Sequence, residues 1–190
     1  MHLLDHFRAD HAETTAIRRD IHAHPELAFE EHRTAALVAD RLEARGIETH
    51  RGVGQTGVVG VLRAGTSKRA IGLRADMDAL PIHEKNDFAH HSRHAGRMHA
   101  CGHDGHTAML LGAAAHLARK PYFDGTVYFL FQPAEEGEGG APAMINDGLF
   151  ERFPMEAVFG LHNWPGQPLG HIAVHHGPVM ACADRFDIEI

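Results

Sequence analysis

Four short segments carry the residue types that metal chemistry uses: RADMDALP (74–81), HACGHDGH (99–106), QPAEEG (132–137) and GLHNWP (160–165). Cys101 and His103 stand two apart, just ahead of an apolar helical run. In a non-helical loop both side chains can face one ion, and thiolate with imidazole suits zinc and related borderline metals better than magnesium or calcium. Read alone, the same cysteine is a small buried hydrophobe beside a chance histidine. Asp78 and Asp104 can each accept the N–H of a ligating imidazole and so fix its tautomer. For Asp104 the plainer reading is a cap on the first turn of the helix that follows. Glu135 and Glu136 sit among Pro133, Gly137, Gly139 and Gly140. There one carboxylate can bind a cation while its neighbour takes a proton from water; the alternative is a solvated acidic turn. His162 completes the set, its simpler reading being a half-buried histidine at a strand end.

Each segment follows or borders a patterned run, and those runs must do the positioning. Near-helical spacing predicts helices over 5–22, before Pro25, and over 30–45, stopped by Gly46. Short β-compatible runs cover 57–63 and 70–76 around the turn-rich AGTSK. Residues 86–98 are polar and aperiodic, hence a loop. GHTAMLLGAAAHLA (105–118) is apolar nearly all round and reads as a buried helix, and GTVYFLFQ (125–132) as a strand buried on both faces. A short helix near 141–146 follows, then strands at 157–161 and 171–175, with 185–190 beginning another. Alternating strands and buried helices imply an α/β layered domain. In such sheets ligands gather beyond the carboxyl ends of strands, so the four segments are expected to converge.

Composition limits the partners. At 190 residues and 44% hydrophobic content the chain can bury about two-thirds of its unfolded surface. The formal charge of −7, with 25 acidic against 18 basic residues and no basic stripe, argues against nucleic acid. No apolar run approaches the roughly 20 residues needed to cross a bilayer, so no membrane partner is expected. Two cysteines, Cys101 and Cys182, make no disulfide framework, and the start lacks a leader-like pattern, so the expected compartment is the cytoplasm. Nineteen histidines point toward metal, but position has to separate ligands from surface residues. His90, His91, His94, His171, His175 and His176 are assigned to the surface.

The motifs RRDIHAHPELAFEE, LRADMDALPI, MHACGHDGHTAMLLGAA, FQPAEEGEGGA and FGLHNWP, in this order, resemble the aminoacylase and hippurate hydrolase branch of the dinuclear metal-dependent amidohydrolases. That branch also includes the plant-type indole-acetyl-amino-acid hydrolases. The resemblance implies a three-layer zinc-exopeptidase-like catalytic domain with a mixed sheet between helices. It implies two divalent metal ions (Zn, Mn, Co or Ni) held by Cys101, His103, Glu136 and His162, with Glu135 as general base and Asp78 supporting a ligand. The implied substrate is a small N-acyl amino acid, cleaved at its amide bond. Family members are roughly double this length: they insert a lid or dimerisation domain after FDIEI and then return to add a further histidine ligand. On that pattern residues 1–184 are the N-terminal part of the catalytic domain, 185–190 begin the lid, the chain is truncated before the lid, and the full-length form is a homodimer. Two rival readings remain: a di- or tripeptidase on the same scaffold, and a non-catalytic metal-binding remnant whose exposed sheet edge pairs with another chain.

Overall fold

The computed structural model of the chain describes residues 3–180 together with 186, 188 and 189. Ten elements follow in order: α1 (Leu3–Ala23), α2 (His32–Glu43), β1 (Glu48–Val53), β2 (Gly57–Ala64), β3 (Ala70–Asp76), α3 (His103–Arg119), β4 (Gly125–Gln132), α4 (Gly140–Asn146), α5 (Leu149–Arg152) and β5 (Ala157–Gly160). The strands form one mixed sheet in the order β1-β2-β4-β3-β5. β1 and β4 run antiparallel to β2, whereas β3 lies parallel to both β4 and β5.

Because side chains alternate across a strand, β4 feeds two cores. Val127, Phe129 and Phe131 face one way and pack with Ile17, Ile21, Val38, Leu42 and Leu111 from α1, α2 and α3. Tyr128 and Leu130 face the other way, toward Met144, Leu149 and Phe153 on and beside α4 and α5. Helices thus cover both sheet faces, which explains why the run GTVYFLFQ is apolar at consecutive positions. Burying Phe129 and Phe131 completely stabilises the layers by about 1.5–3 kcal/mol per side chain. No helix among the described residues is long and apolar enough to cross a membrane.

The parallel trio β3, β4 and β5 decides where chemistry can happen. Their registers align Asp76 with Gln132 and Arg74 with Gly160, so the three strands end on the same side of the sheet. The segments that follow, Met77–Asp78, Pro133–Glu136 and Leu161–His162, therefore leave the sheet together. The N-terminus of α3 arrives beside them, strapped to the end of β3 by the Thr107 hydroxyl donating to the Asp76 carbonyl at 2.8 Å.

Three expectations need correction. Residues 171–175 form no strand: the alternation HIAVHH is exposed, and among the described residues no strand lies beside it to complete a ladder. β1 is an additional strand; ETHRGV is polar because it is a mostly exposed edge, broken by an irregularity between Arg51 and Val53. Asp104 does not cap α3. It lies inside the first turn, the capping position belongs to Gly102, and the Asp104 carboxylate accepts instead from Arg18 (3.0 Å) and His22 (2.9 Å). The strand expected over 185–190 and the domain boundary at 184 fall largely outside the described residues.

Candidate metal centre

Cys101 and His103 reach the same place because Gly102 turns the chain between them. Its φ of +86° lies in the left-handed region that favours glycine, and an added Cβ would meet the Asn163 side chain at 2.5 Å. His103, fully buried, directs Nδ1 to Asp78 Oδ1 at 3.2 Å. The carboxylate can only accept, so Nδ1 carries a hydrogen, and Nε2 is the nitrogen that offers a lone pair once the ring is neutral. The other oxygen of Asp78 accepts the Glu136 backbone N–H at 2.9 Å. Asp78 thereby ties the ends of β3 and β4 to the first residue of α3.

The loop after β4 is held from below by Glu31, a wholly buried carboxylate on the approach to α2. Glu31 accepts from the Thr56 hydroxyl at 2.5 Å and from the Ala134 backbone N–H at 2.8 Å, one residue before Glu135. Burial pushes its carboxyl above the usual range, against the pull of these bonds. The turn closes where the Gly140 N–H donates to the Ala134 carbonyl; a Cβ at Gly140 would lie 1.7 Å from the Pro133 oxygen. Replacing Glu31 by Ala strands two buried donors and is expected to destabilise the chain by about 3 kcal/mol. Glu31→Gln, which can still accept from Ala134 while the Thr56 hydroxyl turns to accept, should cost less than about 1 kcal/mol. Urea unfolding of the two variants checks both values.

His162 follows β5 and points Nδ1 at the Asn163 carbonyl, 2.6 Å away, so the neutral ring places its hydrogen on Nδ1 and its lone pair on Nε2. That Nε2 is 3.5 Å from Cys101 Sγ. Zinc–nitrogen and zinc–sulfur bonds of ~2.05 and ~2.3 Å at a tetrahedral angle place N and S about 3.6 Å apart. Cys101, His103 and His162 form one group whose ligand atoms all lie within 4.8 Å of one another; His103, Glu135 and Glu136 form a second, and the two meet at His103. His103 Nε2 is 3.7 Å from Glu136 Oε1 and 3.9 Å from Glu135 Oε2. Nε2 and Oε1 are both buried without a hydrogen-bond partner, although such atoms are nearly always satisfied.

The electrostatics point the same way. Burial, then the charges of Glu136, Glu135 and Asp76, push the Cys101 thiol up to about 12. Burial opposes charge on His103, yet the Asp78 hydrogen bond and the carboxylates of Asp76 and Glu136 hold its pKa above the ordinary value. A cluster that resists a thiolate and favours an imidazolium is short of positive charge. The donor set and the two orphaned atoms fit a divalent cation.

Three positions had no assigned role in the motif reading. Asp76 is buried and, against the cost of burial, the His106 hydrogen bond and the charges of His103 and Arg74 draw its carboxyl down to about 2. His106 donates from Nδ1 to Asp76 Oδ1 at 2.6 Å and accepts the Asn163 N–H on Nε2 at 3.0 Å. Asp76 stands two before Asp78 and His106 three after His103, strand and helix spacings that put each pair on one side. His22, the third, has both ring nitrogens against carboxylates, Asp104 and Glu84 (3.1 Å), joining α1 to α3 and the 84–92 loop. His91, His94, His171, His175 and His176 are exposed as expected, and His90 is half-buried, stacked on Phe88.

Comparison with known proteins agrees with this frame. The chain is 51% identical over 174 residues to a hippurate hydrolase of Campylobacter jejuni, covering 92% of this chain and 45% of that protein. It is 45% identical over 175 residues to an N-acetyl-L-cysteine deacetylase of Bacillus subtilis, covering 92% and 42% respectively. The chain thus spans a little under half the length of these relatives. Among solved structures, the Bacillus subtilis YXEP protein, described as a dinuclear metal-binding peptidase of the M20 family, matches with a TM-score of 0.85 and 40% identity. That match covers 90% of this chain and 48% of the other. With residues 72–189 also matching its family model, the chain belongs to peptidase family M20/M25/M40.

Proposed function

We propose that this chain is the metal-binding part of an amidohydrolase that cleaves N-acyl amino acids. The observation that carries the reading is the meeting of Cys101, His103, Glu135, Glu136 and His162 around two unsatisfied buried atoms, His103 Nε2 and Glu136 Oε1. Cys101, His103, Glu136 and His162 would hold a pair of divalent cations, with Zn, Mn, Co and Ni all compatible with the mixed donor set. When bound, these cations supply Lewis acidity that lowers the pKa of a nearby water from 15.7 toward about 7 and polarises an amide carbonyl. Glu135, the more exposed carboxylate of the pair, accepts the water's proton and returns it to the leaving amine. Asp78 keeps His103 in the tautomer that leaves Nε2 free.

The relatives named for hippurate and N-acetyl-L-cysteine support an N-acyl amino acid as substrate. Residues 1–184 are proposed as catalytic domain and 185–190 as the start of a second domain that dimerises the full-length protein, in the cytoplasm. The test is elemental analysis of the natural full-length protein together with its hydrolysis of N-acetyl and N-benzoyl amino acids and of dipeptides. Bound divalent metal with preferred cleavage of the acyl amino acids is expected. Preferred cleavage of dipeptides would make it a peptidase on the same scaffold, and metal-free protein inert to both classes overturns the hydrolase reading.

A further inference from the structure

We propose that His106, oriented by Asp76, is a positioning residue that sets the pose of His162 through the residue between them in space, Asn163. The inference rests on the reading of Cys101, His103 and His162 as ligands. β5 is a four-residue exposed strand whose pairing with β3 ends at Gly160, so His162 lies beyond the ladder on an exposed segment. Something other than the sheet has to fix it.

Asn163 does so with both of its backbone groups. Its carbonyl faces His162 Nδ1 at 2.6 Å and dictates that the hydrogen sits there, leaving Nε2 toward Cys101. Its N–H donates to His106 Nε2 at 3.0 Å. A backbone N–H cannot accept, so His106 Nε2 is bare and the ring hydrogen sits on Nδ1, where Asp76 Oδ1 receives it at 2.6 Å. Ring and carboxylate are 3% and 0% exposed, and Asp76 Oδ2 is itself engaged by Arg74 at 2.7 Å. The Asn163 side chain meanwhile rests against Gly102, the hinge between Cys101 and His103. The His106 and His162 rings lie 4.6 Å apart at 63°, close enough that a displaced His106 cannot leave His162 unmoved. Two imidazoles of opposite function are thus built by one rule: each puts its hydrogen on Nδ1 and uses Nε2, His162 toward the candidate metal and His106 toward the peptide that carries His162.

Titration of the chain with Co²⁺, read by the thiolate-to-cobalt charge-transfer band of Cys101 and by the visible bands that report coordination number, tests this. His106→Leu is expected to weaken Co²⁺ binding about 10–100-fold, the usual cost of losing a group that orients a ligand. The Cys101 band should persist while the visible bands weaken toward a higher coordination number. His106→Gln, whose amide oxygen can accept from Asn163, should recover most of the affinity. Placed in a His162→Ala background, His106→Leu should change affinity less than about twofold, because the ligand it positions is gone. Equal losses in both backgrounds, or no loss in the parent, overturn the proposal. Asp76→Asn is a second route should the leucine variant fold poorly by circular dichroism. An amide offers one acceptor to two donors, Arg74 and His106, so a loss that again vanishes without His162 is expected, and a loss independent of His162 counts against it. If the parent chain shows no Cys101-dependent band, the ligand reading itself falls, and this inference with it.

Discussion

Replacing Glu135 by Gln is expected to lower turnover of N-acyl amino acids by the full-length protein about 10²–10⁴-fold, the usual contribution of a general base, while metal content stays unchanged. The two neighbouring glutamates are chemically alike, so their surroundings must divide the work. Glu136 is held by its own backbone N–H on Asp78, and its Oε1 is buried without a partner 3.7 Å from His103 Nε2. A carboxylate oxygen in that position is placed to bind a cation. Glu135 stands at the open side of the cluster with 40% of its side chain exposed, where it can meet both water and substrate. Glutamine keeps the shape and removes the basicity, so it separates the two roles. Glu136→Gln should instead lower the metal content measured by elemental analysis. If the Glu135 variant loses metal and activity in equal measure, Glu135 is a ligand and the assignment of the pair reverses.

The parts of this site that were legible in the sequence share one property: they sit where a patterned run stops. The apolar run of β4 announces a strand covered on both faces, and the carboxyl ends of the parallel strands β3, β4 and β5 carry Asp78, Glu135 with Glu136, and His162. Cys101 and His103 were legible because a helix had to begin beside them. What could not be read is what depends on a partner far along the chain. Glu31 looks like one more acid in PELAFEE, yet its acceptor role is defined by Thr56 and Ala134, 25 and 103 residues away. Asp104 at the head of an apolar run looks like a cap, and only the packing of α1 against α3 reveals Arg18 and His22 as its donors. β1 was hidden for a different reason: an exposed edge strand needs no apolar face, so periodicity has nothing to report. Residues 171–175 show the converse, alternation with no partner strand among the described residues.

The affinity of the chain for a divalent cation should rise steeply with pH, and Cys101 should account for about one power of ten per pH unit. The physical cause is the thiol, which burial and the nearby charges of Glu136, Glu135 and Asp76 hold up to about 12. At any pH near neutrality the sulfur is therefore protonated before a cation arrives, and only the thiolate coordinates. Binding must expel that proton, so lowering the pH favours the metal-free, protonated form and raising it favours the complex. His103 adds to the slope in the same sense, because the Asp78 hydrogen bond and neighbouring acids hold its pKa above the ordinary value despite burial, and its proton also has to leave. Cys101→Ser removes only the sulfur's share. Zn²⁺ affinity measured by chelator competition across about two pH units around neutrality should rise roughly a hundredfold more in the parent than in the serine variant. Both proteins keep the His103 contribution, so the difference between their slopes isolates residue 101. Parallel slopes would mean that the thiol keeps its proton when the cation binds, which would take sulfur out of the ligand set and leave His103, His162 and Glu136 to hold the metal.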